Sequence, residues 1–249
     1  MQKNIKNTIV RISKILSHGG VCSRRDAEEL IRIGKVEVNG NISKEFLIDS
    51  KLLQSIRVNG KEVKKKKTAL WLFHKPPGYV CSNREQGNQK SIFSLLPKTF
   101  PRVVSVGRLD IESEGLLLLT NNPSLSNFLE KPLNSIERKY EVKIRGELPR
   151  DFVQINKGIT INGIEYKSIL FRLVEKNKIE MNLKEGKNRE IRRILNHFNI
   201  KVEILKRTRY GPFSLKYLKR GDIAKLEKKV LKDKLEQIGF FNEDNFWSI

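Results

Sequence analysis

Val103-Val-Ser-Val-Gly-Arg-Leu-Asp-Ile-Glu-Ser-Glu-Gly-Leu-Leu-Leu-Leu-Thr120 is the stretch from which the rest of the chain can be read. The apolar run Val103 to Val106 stops at Gly107, and a second run, Leu116 to Leu119, begins after Gly115. Two short apolar runs bounded by glycine predict two buried strands with one polar loop held between them. That loop carries Arg108, Asp110, Glu112 and Glu114. A carboxylate fixed between buried strands can be aimed and partly desolvated, which makes Asp110 a candidate for covalent or acid–base chemistry. The plainer alternative is that Asp110 and Arg108 only stabilise a tight turn.

Upstream, Ala69-Leu-Trp-Leu-Phe73 predicts a strand that ends in the turn His74-Lys-Pro-Pro-Gly78, and Ser91 to Leu96 predicts a short helix closed by Pro97. Downstream, Asn122 to Leu129 fits a capped helix. Arg138 to Ile144 alternates, with Tyr140, Val142 and Ile144 on one face and Lys139, Glu141 and Lys143 on the other. A tyrosine so placed is usually core, yet an aromatic at a cleft wall can also stack on an extruded base. A turn at Glu185-Gly186-Lys187 leads into a helix that presents Ile191, Ile194, Leu195 and Phe198 on one side and Arg189, Arg192, Arg193 and Asn196 on the other. Val202 to Thr208 reads as a strand, Arg209 to Phe213 as a turn, and the lysine-rich segment from Ile223 as a helix carrying Leu226, Val230, Leu231 and Leu235.

Residues 9–67 form a separate small unit. Ile9, Ile12, Ile15 and Leu16 recur at helical spacing, a second helix starts at Ser23 with Asp26 completing a short capping box, and Gly34 ends it. Lys35 to Val38, Ile56 to Val58 and Lys61 to Val63 are short strands, with Asn39-Gly40 and Asn59-Gly60 as hairpin turns. The polar helix positions are largely basic, namely Arg11, Lys14, Arg24, Arg25 and Arg32. Such a face suits phosphate contacts, although a merely solvated face is as common. Lys64 to Lys67 is a run of four cations that disfavours packing, so a linker is expected there.

In all, 50 Lys+Arg against 28 Asp+Glu give a formal charge of +22 over 249 residues, a field that attracts polyanions. Nucleic acid is the expected partner. A membrane is the weaker choice, because no apolar run approaches the roughly 20 residues of a spanning helix and Met1 to Thr8 is polar. Cys22 and Cys81 have neither CxxC spacing nor a second pair, which points to a reduced, cytoplasmic chain without disulfide or zinc. His18, His74 and His197 stand apart from any ligand set, so no metal is expected.

Gly107-Arg-Leu-Asp110 followed by Gly115-Leu-Leu-Leu-Leu-Thr120 resembles the catalytic loop of the pseudouridine synthases of the RsuA/RluB type, which act on ribosomal RNA. The likeness continues through Lys75-Pro-Pro-Gly78, Lys139-Tyr140, Gly186-Lys-Asn-Arg-Glu-Ile-Arg192 and Leu205-Lys-Arg-Thr-Arg-Tyr-Gly-Pro212, and spans about Ala69 to Asp222. Ser113 stands where the family often has Thr and Asn122 where it often has Asp. Arg11-Ile-Ser-Lys14, Ser23-Arg-Arg25 and Gly34 to Gly40 resemble the S-four type RNA-binding domain.

The resemblance implies a catalytic aspartate at Asp110. It further implies a substrate-binding set of Arg108, Tyr140 and Arg192, in which Arg192 pairs with Asp110 and Tyr140 faces the base. Lys187 and Arg189, with Arg11, Lys14, Arg24 and Arg25 of the first unit, are then RNA contacts. The reaction implied is isomerisation of a uridine in ribosomal RNA, closer to the large-subunit (RluB) branch, with no cofactor and no metal. The partner is ribosomal RNA or a ribosome assembly intermediate, bound by a monomer. The expected fold class is α+β. A helical and hairpin RNA-binding domain spans 9–67, a mixed, mainly antiparallel sheet with flanking helices spans 68–222, and a C-terminal helix and tail span 223–249. Two other classes compete. A non-catalytic RNA-binding or ribosome-assembly protein would share the charge and the first domain but need not keep the full motif set, and an RNA methyltransferase would need a glycine-rich cofactor loop that the sequence lacks.

Overall fold

The computed structural model describes residues 9–64, 66–82 and 88–241. Lys65 of the expected linker, the polar segment Met1 to Thr8 and the end of the chain from Asn242 lie outside the described residues.

The first unit comprises β1 (Ile9–Arg11), α1 (Ile12–His18), α2 (Arg24–Arg32), β2 (Val36–Val38), β3 (Asn41–Ile42), β4 (Leu47–Asp49), β5 (Ile56–Val58) and β6 (Lys61–Glu62). Ser23 caps α2: its Oγ accepts from the Asp26 N–H at 3.1 Å while the Asp26 carboxylate accepts from the Ser23 N–H at 3.3 Å. Two donors that the helix leaves open are thereby satisfied. Asn39-Gly40 and Asn59-Gly60 turn with φ of 50° and 86°, and 49° and 74°, the left-handed pair that a tight two-residue hairpin needs. Ile12, Leu16, Ala27, Ile31, Val36 and Ile56 close a small core of their own. Ile9 departs from expectation. It belongs to β1, pairs with Asp49 of β4 and is 58% exposed, because the β-branched Ile9-Val10 pair stays extended and α1 begins only after Arg11.

The larger unit is built on one nine-stranded sheet. Its elements are β7 (Leu70–Lys75), β8 (Val104–Val106), β9 (Glu114–Thr120), α3 (Pro123–Glu130), β10 (Arg138–Arg145), the hairpin β11 (Ile159–Ile161) and β12 (Ile164–Tyr166), β13 (Leu170–Glu175), β14 (Lys178–Leu183), α4 (Glu190–His197), β15 (Lys201–Tyr210), β16 (Phe213–Ser214), β17 (Ile223–Lys225) and α5 (Lys228–Gln237). The β11–β12 hairpin stands apart, and the sheet order is β13-β14-β10-β15-β9-β7-β17, with β8 added to β9 and β16 to β15.

Two antiparallel halves meet at a parallel seam between β9 and β15, where Glu114 faces Lys206 and Gly115 faces Arg207. On one half α4 packs Ile191, Ile194 and Leu195 against Val142, Ile179 and Met181. On the other, α3 and α5 pack Leu125, Leu129, Leu231 and Leu235 against Leu70, Leu116 and Leu118. The opposite face of β9 buries Leu117 and Leu119 against Phe73, Ile92 and Val103. Because β9 is covered on both faces, its sequence is a continuous leucine run and does not alternate. β17 pairs Ile223 with Phe73 of β7, so the sheet continues past Asp222, where the sequence predicts the start of a helical tail. Three residues of mixed polarity are too few to carry a strand period. No helix among the described residues is long and apolar enough to cross a membrane.

Gly115 makes the seam possible. Its φ is +106°, and a Cβ there would stand 2.3 Å from the carbonyl oxygen and 2.6 Å from the nitrogen of Arg207. Gly115→Ala is therefore expected to cost more than about 4 kcal/mol. A thermal melt should show the Tm falling by about 10 °C or more, if the protein folds at all.

Candidate active site

The loop between β8 and β9, residues 107–113, carries Asp110 and is held from three sides by groups outside it. Lys75, at the end of β7, is fully buried, and its ammonium donates to the carbonyls of Ser113 at 2.8 Å, Pro76 at 3.0 Å and Ile111 at 3.4 Å. The Gly78 N–H donates to the Ile111 carbonyl at 2.7 Å. The Cys81 thiol both accepts from the Leu109 N–H and donates to the Leu109 carbonyl, each at 3.4 Å. Burial pulls the Lys75 ammonium down to about 8 and pushes the Cys81 thiol up. Leu109 is buried beside Asp110, so the backbone around the carboxylate is fixed by packing as well as by hydrogen bonds.

Above the loop stands the turn into α4. Arg192, on its first turns, places Nε 3.6 Å from Asp110 Oδ2 and Nη1 3.6 Å from Glu112 Oε2, and its Nη2 reaches Ser113 Oγ at 3.4 Å. Arg189 lies outside the helix in the left-handed region (φ 51°), with Nη2 3.1 Å from Glu112 Oε2 and Nη1 3.9 Å from Asp110 Oδ2. A non-glycine residue held at positive φ beside a cleft is strain of the kind that collects at functional sites. The sequence places Arg189 on the polar face of the helix as an RNA contact. In the structure it is a second cation over the acidic loop. Two guanidiniums thus face two carboxylates, and Asp110 keeps a quarter of its side-chain surface open (27%).

The turn is supported by Glu190, which is 3% exposed. Its Oε2 accepts from the Lys187 N–H at 2.9 Å, and its Oε1 is buried with no hydrogen-bond partner. Burial, with the charge of Glu185 adding to it, pushes the Glu190 carboxyl up to about 7. Lys187 turns back onto the Glu165 carbonyl and pairs with Glu185 at 3.1 Å.

Asp110 and Tyr140 line one cleft of about 890 Å³, together with Arg108, Lys187 and Arg189, and Arg192 adjoins it through its pairing with Asp110. Tyr140 is half-buried and packs against the apolar cores of both halves of the sheet, so it serves at once as core and as cleft wall. Arg108 is exposed on the rim. In the first unit Arg11, Arg24 and Arg25 are exposed and Lys14 is half-buried. Of the histidines, His74 shares its Nδ1 with the Leu218 carbonyl at 2.8 Å, and His18 Nε2 meets Ser124 Oγ of α3 at 3.4 Å. A smaller recess of about 320 Å³ between the β11–β12 hairpin and α4 has no carboxylate among its lining residues.

Sequence patterns pass over the floor of the cleft. Across the β10–β15 ladder Tyr140 faces Arg207 and Arg138 faces Tyr210, so arginine and tyrosine alternate on neighbouring strands. Arg138 donates to Tyr210 Oη at 2.8 Å, Tyr210 Oη donates to the Leu129 carbonyl at 2.9 Å, and Arg207 Nε donates to the Leu116 carbonyl at 2.8 Å. Both guanidiniums lie over the Tyr210 ring, at 4.8 Å and 5.0 Å from its centroid. Burial pushes the Tyr210 phenol up. The available signal was the basic and aromatic content of Leu205 to Tyr210, which does not reveal which side chains face inward.

Residues 69–197 match the family model described as RNA pseudouridylate synthase, and residues 10–45 match the S4 domain model. The chain is 41% identical to an uncharacterized RNA pseudouridine synthase of Rickettsia bellii (strain RML369-C), over 89% of this chain and 99% of that one. It is 33% identical to the ribosomal large subunit pseudouridine synthase B of Bacillus subtilis (strain 168), over 87% of this chain and 91% of that one. A solved structure described as a crystal structure of pseudouridylate synthase superposes with a TM-score of 0.66 over 90% of this chain and 99% of that one; at 22% identity it shows the shared α+β fold. The chain belongs to the RNA pseudouridylate synthase family. It is an RNA pseudouridine synthase, an isomerase, with an N-terminal S4 domain for RNA binding.

Two outcomes follow from the supports of the site. Lys75→Met would leave the buried Ser113 carbonyl without its Lys75 donor, at about 1–3 kcal/mol, while Ile111 keeps the Gly78 N–H; it is expected to lower the Tm and to reduce kcat at least about tenfold on RNA that the wild type modifies. For Glu190, the unfolded carboxyl loses its proton near pH 4.3, whereas the folded one keeps it to about 7. Wild-type stability should therefore fall as pH rises through that window and stay lowered above it. Glu190→Gln is expected to raise the Tm relative to wild type at pH 8 and to leave it unchanged near pH 4.5, as thermal melts across that range would show.

Proposed function

We propose that this chain converts a uridine of ribosomal RNA, specifically of the large-subunit RNA, to pseudouridine, with Asp110 as the catalytic carboxylate. The observation that carries the assignment to Asp110 is its setting: a carboxylate with a quarter of its surface open, on a loop fixed by Lys75, Gly78 and Cys81, under two guanidiniums and in one cleft with Tyr140. The large-subunit substrate rests on the 33% identity to the large-subunit synthase of Bacillus subtilis. The protein then works in the cytoplasm, where ribosomal RNA is assembled.

The reaction breaks the bond from the ribose C1′ to uracil N1, turns the base, and joins C1′ to C5, with loss of the C5 proton and return of a proton to N1. Atoms balance within the nucleotide, so an oriented carboxylate and a slot for the detached base are the requirements. Asp110 works at the sugar, by attack or by proton abstraction. Arg192 and Arg189 hold it aimed. Tyr140 forms the wall on which the extruded base lies, and Arg108 reaches the RNA from the rim. Residues 9–67 supply Arg11, Lys14, Arg24 and Arg25 for the phosphates of the folded RNA around the target, while Lys187 contacts it nearer the cleft. A tethered second module raises affinity by effective concentration, which one small uridine could not supply.

The decisive assay is tritium release from ribosomal RNA labelled at uracil C5, comparing wild type with Asp110→Asn. Wild type is expected to release tritium from large-subunit RNA, and the variant none above background. A folded wild type that binds RNA yet releases nothing from either subunit's RNA, naked or in assembly particles, would sink the assignment in favour of a non-catalytic binder.

A further inference from the structure

The acids and bases in and around the cleft do not balance. Asp110 and Glu112 are matched by Arg189 and Arg192, and Glu185 by Lys187. On the opposite wall the Glu130 carboxylate accepts from Ser126 Oγ at 2.6 Å. Of the remaining cations Arg108 is exposed on the rim, whereas Arg138 and Arg207 are 8% and 2% exposed, and neither of these two forms an ion pair with a carboxylate among the described residues. One nitrogen of Arg207, Nη2, is buried with no hydrogen-bond partner. Buried cations without a counter-charge are unfavourable, and an anion supplied from outside the fold is one way to compensate them.

The two cations are also rigidly presented. Tyr210 lies under both guanidiniums and is itself tied to the Leu129 carbonyl, while Arg207 Nε is tied to Leu116. Among the described residues Arg138 has a 3.3 Å contact from Nη1 to the Lys184 carbonyl besides its bond to Tyr210. The floor next to Tyr140 is thus a preorganised, positively charged plate rather than a set of mobile surface lysines.

We propose that Arg138, backed by the buried charge of Arg207, is a positioning residue that holds a backbone phosphate of the RNA on the cleft floor beside Tyr140, fixing the extruded uridine through its own phosphodiester. This rests on the assignment of the cleft to uridine isomerisation. A uracil carbonyl would use a donor but leave both charges uncompensated. A phosphodiester brings a full negative charge and oxygens that match a guanidinium fork. Arg207, sealed beneath, contributes field rather than a direct bond.

The test is steady-state tritium release from large-subunit RNA at several salt concentrations, with wild type, Arg138→Gln and Arg138→Lys. Arg138→Gln is expected to raise KM about tenfold with kcat within about twofold, and to make the dependence of log(kcat/KM) on log salt shallower by about one phosphate contact. Arg138→Lys keeps the charge and should restore the slope. A folded Arg138→Gln with the wild-type slope overturns the proposal. Should Arg138→Gln not fold, wild type alone decides. Once the releasing uridine is mapped, an oligonucleotide with a neutral methylphosphonate on its 5′ or 3′ side should lose about tenfold in kcat/KM at one of the two linkages, and no loss at either overturns the phosphate contact. Absence of tritium release by wild type would instead count against the isomerase assignment, and the salt slope of RNA binding by the same variants would then decide the phosphate contact.

Discussion

At the middle of the sheet the backbone of β15 passes Gly115 so closely that no side chain fits between them. The two halves of the sheet have separate apolar cores, and the parallel contact of Glu114 and Gly115 with Lys206 and Arg207 is where their strands pair. Each half holds only part of the chemistry. The β8–β9 loop of one half carries Asp110, while β10, β15 and the start of α4 bring Tyr140, Arg207, Arg189 and Arg192 from the other. The cleft is a consequence of the seam, and the glycine is what lets the seam close.

A carboxylate must be oriented to react selectively, and the orientation of Asp110 comes from the groups that hold its loop. Lys75 is the principal one. It is a cation without solvent, and it persists because all three of its hydrogen bonds go to backbone carbonyls at and next to the Asp110 loop. Glu114, at the start of β9, is buried too and pairs with Arg220 at 2.7 Å. Below the loop, then, polar groups are satisfied. Above it, Arg189 and Arg192 approach Asp110 at ion-pair rather than hydrogen-bond distance, which leaves the carboxylate oxygens accessible.

The net charge of +22 is distributed by role. On α2 the arginines stand in solvent around a small independent core. In the cleft the cations are buried, stacked or strained, and they act at fixed positions. The His18–Ser124 contact and the bonds from Asn121 Nδ2 to the Lys67 carbonyl and from Asn122 Nδ2 to Thr68 Oγ1 link the first unit and its connector to the start of α3. The helix that follows β9 therefore also anchors the connector of the S4 domain.

The sequence by itself determined the local elements and the chemistry-bearing loop. Glycine-bounded apolar runs, Asn-Gly turns and the Ser23 and Asn122 caps act between near neighbours, so their structural consequences are legible in a short window. The aspartate loop, the alternating strand of Tyr140 and the helix bearing Arg192 could be read in the same way, and the family motifs grouped them. The β-branched start at Ile9, the strand Ile223–Lys225 and the left-handed Arg189 could not, because each is settled by a partner distant in the chain. Only the tertiary structure decided which cations are spare. Asp110 lies 79 residues from Arg189 and 82 from Arg192 by their numbers, and Arg138 meets its partner Tyr210 across 72. Charge pairing over such separations depends on how strands cross at the seam, and neither periodicity nor composition carries that information.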